Sequence, residues 1–322
     1  MKKSKTLSII VPVRNEQESL KQLFKEIINL REHLNNEDIK SEFLFLDNNS
    51  SDKSLEMIIN FSEKYSEILY FSYSKNIGYE KSIMNGLKLS SGDAIVILDS
   101  DLQDPPELIL EFVQHWKKGE SIVAGLRVDS DETIILKSLR KLFYKIIQSF
   151  SFQRIPANIG AFILFDKKIR DMIIKNISEN LYIRGDILTS GYNIKTIDYK
   201  RKIRKYGKSN FNYKSLLKFS TDKMFLTSDL PTILPISMTV ISFILSLTIA
   251  VYLIVNKINN PDTPQGFTFI ALLLTLSLLI TSIISSINIK YLSLIYSELT
   301  KFNNYQIVKT NKPELIKKRL EV

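Results

Sequence analysis

Three observations predict an α/β domain with a mostly parallel sheet, joined to a membrane hairpin. Strand-like and helix-like segments alternate through residues 1–127, two long apolar runs without charge fill much of the last third, and basic residues crowd the outer flanks of those runs. TLSIIVPV (6–13), EFLFLD (42–47), ILYFSYS (68–74), AIVILDS (94–100) and SIVAGLR (121–127) are apolar, bounded by polar turns, and read as strands. Residues 16–34, 54–65, 79–89 and 106–118 repeat apolar side chains at helical spacing and read as amphipathic helices between them. Such alternation gives a sheet covered on both faces, in which ligands bind beyond the carboxyl ends of the strands. The turns LDNNSSD (46–52) and LDSDLQD (98–104) lie at those ends, so their acids are expected to face a site.

The apolar runs at 232–255 and 267–289 carry no charged residue. At a rise of 1.5 Å per residue each reaches roughly 35 Å, enough to cross a hydrocarbon core of about 30 Å. The link NKINNPDTPQG has two prolines and a glycine, which suits a tight hairpin connection. Net charge is +10, and it is unevenly spread. Residues 195–223 hold ten Lys/Arg against two acids, and residues 290–322 hold seven against three. Because these clusters flank the apolar runs, an anionic membrane surface is the expected partner and nucleic acid is not. By the positive-inside rule both termini are cytoplasmic, and no signal peptide is expected, since the apolar run after MKKSK ends at Pro12. The predicted organisation is a cytoplasmic domain over 1–211, an interfacial amphipathic segment over 212–230, a two-span hairpin over 231–290 and a basic cytoplasmic tail over 291–322.

The chain has no cysteine, which excludes disulfides and thiolate metal sites, and only His33 and His115 could supply imidazole. Both read as surface or packing residues. A metal here must be bound by oxygen, which points to Mg²⁺ or Mn²⁺. No glycine lies between Met1 and Gly78, so the first turn, VPVRNEQES, cannot be the glycine-rich nest of a dinucleotide fold. Phosphates must be neutralised another way. ILDSDLQDPPE (97–107) supplies one: it places Asp99, Asp101 and Asp104 close together at a strand end, a repulsive arrangement unless a base or a cation compensates it. Side chains two apart in an extended segment point the same way, so Asp99 and Asp101 of the D-x-D converge on one point. A divalent cation there would bridge to a nucleotide diphosphate and stabilise it as a leaving group.

VPVRNE, LDNNSSD, SKNIGYEKSIMNGL and LDSDLQDPPE occur in an order and spacing that resemble family 2 glycosyltransferases of the GT-A fold. DSDLQDPPE followed by a two-span C-terminus resembles, within that family, the polyprenyl-phosphate glycosyltransferases, such as dolichol-phosphate mannose synthases and bactoprenol glucosyltransferases. The resemblance implies a metal-dependent hexosyltransferase taking a UDP- or GDP-linked sugar to a polyprenyl phosphate, with inversion, at the membrane; a homo-oligomer is compatible with it. It implies that Pro12, Glu16, Asp47, Asp99 and Ser100 hold the nucleotide-sugar, that Asp99, Asp101 and Gln103 hold the metal, and that Asp99, Asp101, Arg127 and Arg204 are catalytic. Arg127 matches an arginine facing the phosphates, and YKRKIRKYGKSN (199–210) matches the family's Y-x-R-x-x-R-x-x-G-x-S-K segment. Arg201 and Lys208 in that segment, with Lys137 and Arg140 on a predicted helix at 136–150, are candidates for the acceptor phosphate; a solvated helix face is the other reading of the latter pair.

The chain departs from the family pattern at five positions. Asn48 stands where a second aspartate is common, which is expected to weaken a base contact only. Asn158, Ala161 and Ile163 stand where two acids and an arginine are usual, and Asn210 replaces a lysine. A catalytically silent membrane scaffold therefore stays open as an alternative. A processive polysaccharide synthase fits less well, because the only tryptophan, Trp116, has no Gln-x-x-Arg before it.

Overall fold

In this computed structural model the described residues are 4–128, 159–175, 183–202 and 305–319, with scattered helical positions between 237 and 295. The strands are β1 (Lys5–Val13), β2 (Ile39–Asp47), β3 (Ile68–Tyr73), β4 (Ala94–Ile97), β5 (Ile122–Arg127), β6 (Ile159–Asp166), β7 (Ile194–Tyr199) and β8 (Ile307–Thr310). The helices are α1 (Gln17–Asn36), α2 (Ser54–Ser62), α3 (Tyr79–Leu89), α4 (Leu108–Lys117), α5 (Lys167–Lys175), α6 (Ile183–Leu188) and α7 (Pro313–Arg319). All five expected strands and all four expected helices are present, with ends shifted by a few residues.

The strands form one mixed sheet in the order β7-β5-β6-β4-β1-β2-β3-β8. Its central ladder, β4-β1-β2-β3, is parallel, as is β5-β7. Parallel register runs from Lys5↔Ile39 to Val13↔Asp47, so the ends of β1 and β2 arrive together. Successive side chains of a strand point to opposite faces, and here both faces are apolar. Leu7, Ile9, Val11, Phe43, Phe45, Ala94 and Val96 pack under α1, α2 and α4. Ile10, Leu44, Leu46, Ile95 and Ile97 pack on the other face with Ile83 and Leu87 of α3. Burial of this kind, at about 25 cal/mol per Å² of apolar surface, is the main stabilising term of the domain.

Two features were not expected from the sequence. β6 enters antiparallel between β4 and β5. Within the segment read as a basic tail, β8 pairs antiparallel with β3 and α7 packs on α3. Asn311 fastens this edge, accepting from the Tyr70 N–H at 3.1 Å and donating to the Ile68 carbonyl at 2.9 Å. A strand edge exposes unpaired backbone groups, and covering it with chain from the far C-terminus satisfies them.

The chain divides into two units. The first comprises Met1–Tyr144, Gln153–Asn212 and Asn303–Val322, and the second comprises Lys145–Phe152 and Tyr213–Phe302. In the second, the described positions are helical, and Ile241, Ile244, Ile270, Leu292 and Ile295 are all more than half exposed. Most of the two apolar runs and all of the interfacial segment lie outside the described residues; among the described residues no helix is long and apolar enough to cross a membrane.

Candidate active site

The turn after β1 and the turn after β2 are laced together at the sheet's carboxyl edge. Asn48 N–H donates to the Val13 carbonyl at 2.8 Å, Glu16 N–H to Ser54 Oγ at 2.8 Å, and Ser51 N–H to Asn15 Oδ1 at 2.8 Å. Ser100, after β4, donates to the Pro12 carbonyl at 3.0 Å, which ties the D-x-D to the end of β1. These turns and the N-terminus of α3 surround a cleft of about 280 Å³, whose walls include Pro12, Arg14, Glu16, Asn48, Tyr79, Asp99, Ser100 and Asp101. Of the residues expected to hold a nucleotide-sugar, Pro12, Glu16, Asp99 and Ser100 therefore meet in one place.

Asp47 does not share that wall. It is 1% exposed, with Oδ1 accepting from the Ser50 N–H at 3.1 Å and Oδ2 from the Ser72 hydroxyl at 2.7 Å. Both oxygens are satisfied inside the fold, and its neighbour Asn48 is the residue presented to the cleft.

Asp99 and Asp101 converge as expected. Each has one oxygen engaged by the protein: Asp99 Oδ1 accepts from the Tyr79 hydroxyl at 2.7 Å, and Asp101 Oδ1 from the Gln103 N–H at 3.1 Å. Burial, with the Asp104 carboxylate close by, pushes Asp99 up to about 6, against the pull of the Tyr79 hydrogen bond; Asp101 adds to the rise. A carboxylate so destabilised in its charged form is a place for a cation. Among the described residues no group of three or more His, Cys, Asp or Glu could hold a metal. The donor set is instead a pair of carboxylates, which fits an oxygen-seeking ion whose remaining ligands come from a diphosphate and water. Gln103 donates its side-chain amide to the Lys202 carbonyl at 3.3 Å, and so ties the acidic turn to the exit of β7.

Asp104, expected to face the site with the other two, turns inward instead. It is fully buried and accepts from the Tyr199 hydroxyl. Arg201 Nε lies 3.4 Å from its Oδ1, and Arg127 Nη2 lies 3.5 Å from its Oδ2. Arg127 Nε also donates to Tyr199 at 3.1 Å. Two glycines make room for this cluster: a Cβ on Gly160 would collide with the Arg127 guanidinium, and one on Gly125 would come within 2.7 Å of the Tyr199 ring. Arg127 is thus held by the scaffold, while Arg201 also approaches the cleft, with Nη2 4.0 Å from Asp101 Oδ2.

Lys137, Arg140, Arg204 and Lys208 lie outside the described residues, as do Asn158 and Asn210. Ile163 is fully buried and pairs with Ala124 across β5 and β6, so an apolar side chain fills the position where the resemblance has a charged one. Trp116 is a packing residue, 5% exposed, whose indole N–H donates to Asp166. Sequence reasoning singled out Asn48, as a departure from the family pattern at a base contact, but not Tyr79, Arg14 or Tyr199. All three lie in segments that carry the family resemblance, yet nothing local marked Tyr79 as a partner of an acid twenty residues away.

Comparison with known proteins identifies the family. Residues 8–173 match the model of glycosyl transferase family 2, just over half of the chain. An uncharacterized glycosyltransferase of Synechocystis is 32% identical over 260 residues, covering 80% of this chain and 81% of the relative. The bactoprenol glucosyl transferase of Shigella phage SfV is 29% identical, covering 64% of this chain and 66% of the relative. Among solved structures, a mannosyltransferase from Pyrobaculum calidifontis in complex with GDP-Man and Mn²⁺ is 13% identical with a TM-score of 0.44, covering 64% of this chain and 59% of that one. The chain belongs to glycosyl transferase family 2.

Proposed function

We propose that this glycosyltransferase moves one sugar from a UDP- or GDP-linked donor onto the phosphate of a polyprenyl lipid, with inversion, at the cytoplasmic face of a membrane. The observation that carries the reading is the convergence of Asp99 and Asp101 on the cleft between the ends of β1, β2 and β4. Likeness to a bactoprenol glucosyl transferase supports the choice of acceptor. The two uncharged runs with basic outer flanks support the location, as do the exposed isoleucines of the second unit, which suit contact with lipid better than with water. Thr248 and Thr281 donate their hydroxyls to the carbonyls four residues back, at 2.8 and 2.9 Å, the arrangement that satisfies such groups in an apolar surrounding.

The chemistry asks little of a base. A lipid phosphate is already ionised near neutral pH, so one of its oxygens attacks the anomeric carbon directly and the bond to the nucleotide diphosphate breaks, its electron pair leaving with the diphosphate. One displacement inverts the configuration, and positioning outweighs proton transfer. A divalent cation held by Asp99 and Asp101 would offset the charge on the departing diphosphate. Arg201, beside Asp101, is placed to meet an anion in the cleft. Asp104 keeps Arg127 and Arg201 extended toward this edge of the sheet.

Purified full-length protein with Mn²⁺, undecaprenyl phosphate and a panel of UDP- and GDP-sugars should yield one lipid-linked sugar, detected by mass spectrometry. Absence of product from every donor would refute the reading. A second reading, a silent scaffold, rests on the apolar Ile163 and Ala161; it requires that calorimetry find no nucleotide binding in the presence of Mn²⁺.

A further inference from the structure

Asp99 and Asp101 share a pattern: each has one carboxylate oxygen fixed by a protein donor. For Asp101 the donor is the Gln103 backbone N–H, which the turn supplies whatever the side chains are. For Asp99 it is the hydroxyl of Tyr79, a side chain from a different element. Tyr79 opens α3, directly after Gly78. The loop that delivers it is pinned, with Ile77 N–H donating to Asn48 Oδ1 at 2.8 Å and Gly78 N–H to Asn76 Oδ1 at 3.0 Å. Tyr79 is nevertheless 40% exposed and lines the cleft, so apolar burial does not account for its placement. A large aromatic held by its backbone, half in solvent, with its polar tip on a functional acid is an orienting arrangement.

We propose that Tyr79 is a positioning residue for the cation site: its hydroxyl engages Asp99 Oδ1 and fixes the carboxylate rotamer, leaving Oδ2 to bind the ion. This rests on the metal-assisted reading above and adds a residue to it. Outer partners of this kind typically raise metal affinity about 10–100-fold, because without them the ligand must be ordered at the moment of binding.

The test is a Mn²⁺ titration of the full-length protein followed by electron paramagnetic resonance, with and without UDP or GDP, on wild type, Tyr79→Phe and Asp101→Asn. Tyr79→Phe keeps the ring and removes only the hydroxyl. The expected result is Mn²⁺ binding weakened about tenfold, with the unfolding temperature in EDTA and the affinity for metal-free nucleotide unchanged. A loss of less than about fivefold, or an equal loss in metal-free nucleotide affinity, overturns the proposal. Asp101→Asn separates the two levels. If it abolishes Mn²⁺ binding while Tyr79→Phe does not alter it, the role of Tyr79 alone fails. If wild type and Asp101→Asn bind Mn²⁺ equally, the metal site itself is wrong and the role of Tyr79 falls with it.

Discussion

Asp99 and Asp101 sit in the cleft with one oxygen each bound by the protein, and Asp99 is pushed up to about 6. Asp104, in the same turn, is buried between two guanidinium groups and a tyrosine hydroxyl. The same residue type from one short segment thus serves two regions of opposite electrostatic character. In the cleft, charge is only partly offset, with Arg201 4.0 Å from Asp101, and so can be answered by a ligand; below it, two guanidiniums face one carboxylate, which holds a scaffold. Asp47 belongs with the second kind, since Ser50 and Ser72 satisfy both its oxygens. An acid's partners, more than its type or its motif, tell the two uses apart.

The sharpest way to break this comparison is to neutralise one acid of each kind. Asp101→Asn removes a charge and little volume, so turnover should fall by roughly a thousandfold, about 4 kcal/mol of transition-state stabilisation, while the unfolding temperature stays within a few degrees. Retention of a third of wild-type activity would show that Asp101 does not hold the metal. Asp104→Asn should act first on stability, and on turnover only through the freed Arg201. It strands two guanidiniums that are about 70% buried, since Arg127 and Arg201 are 28% and 30% exposed. That burial should cost about 2–3 kcal/mol, and lower the unfolding temperature by about 5–10 °C. An unchanged unfolding temperature would mean that the Asp104 cluster is not structural.

A smaller effect separates the regions by pH. Asp99 ionises near 6 in the folded chain, above the 3.8 of an unperturbed aspartate. Between those values the folded state binds more protons than the unfolded one, so the Asp99 contribution to stability is present below about 4 and is lost as pH rises through 6. In EDTA, Asp99→Asn should match wild type at pH 4 and exceed it at pH 7.5 by about 1 kcal/mol, or a few degrees. Calorimetry showing no pH dependence of that difference would mean that Asp99 is not under electrostatic stress. The smallest expected change is at Asp47. Ser72→Ala leaves one buried carboxylate oxygen without its donor, at a cost of about 1 kcal/mol in stability, read by urea unfolding. A silent Ser72→Ala would move Asp47 from the satisfied group to the unsatisfied one.

The sequence by itself determined the first five strands, the helices between them, a mostly parallel sheet, and the place of both acidic turns at the carboxyl ends of strands. Those follow from continuous apolar runs bounded by polar turns, amphipathic runs of period 3.6 and turns placed by chain order, all of them local signals. Tertiary structure alone decided the rest. Only the fold could show that Asp104 turns away from Asp99 and Asp101, because its fate depends on Arg127, Tyr199 and Arg201, up to 97 residues distant and brought in by β5 and β7. β6 runs antiparallel between β4 and β5, and residues 307–310 close the edge of β3, since strand partners are chosen by packing and by unpaired edges that no short window of sequence contains. Tyr79 reaches Asp99 for the same reason: α3 and the end of β4 become neighbours only when the sheet has formed.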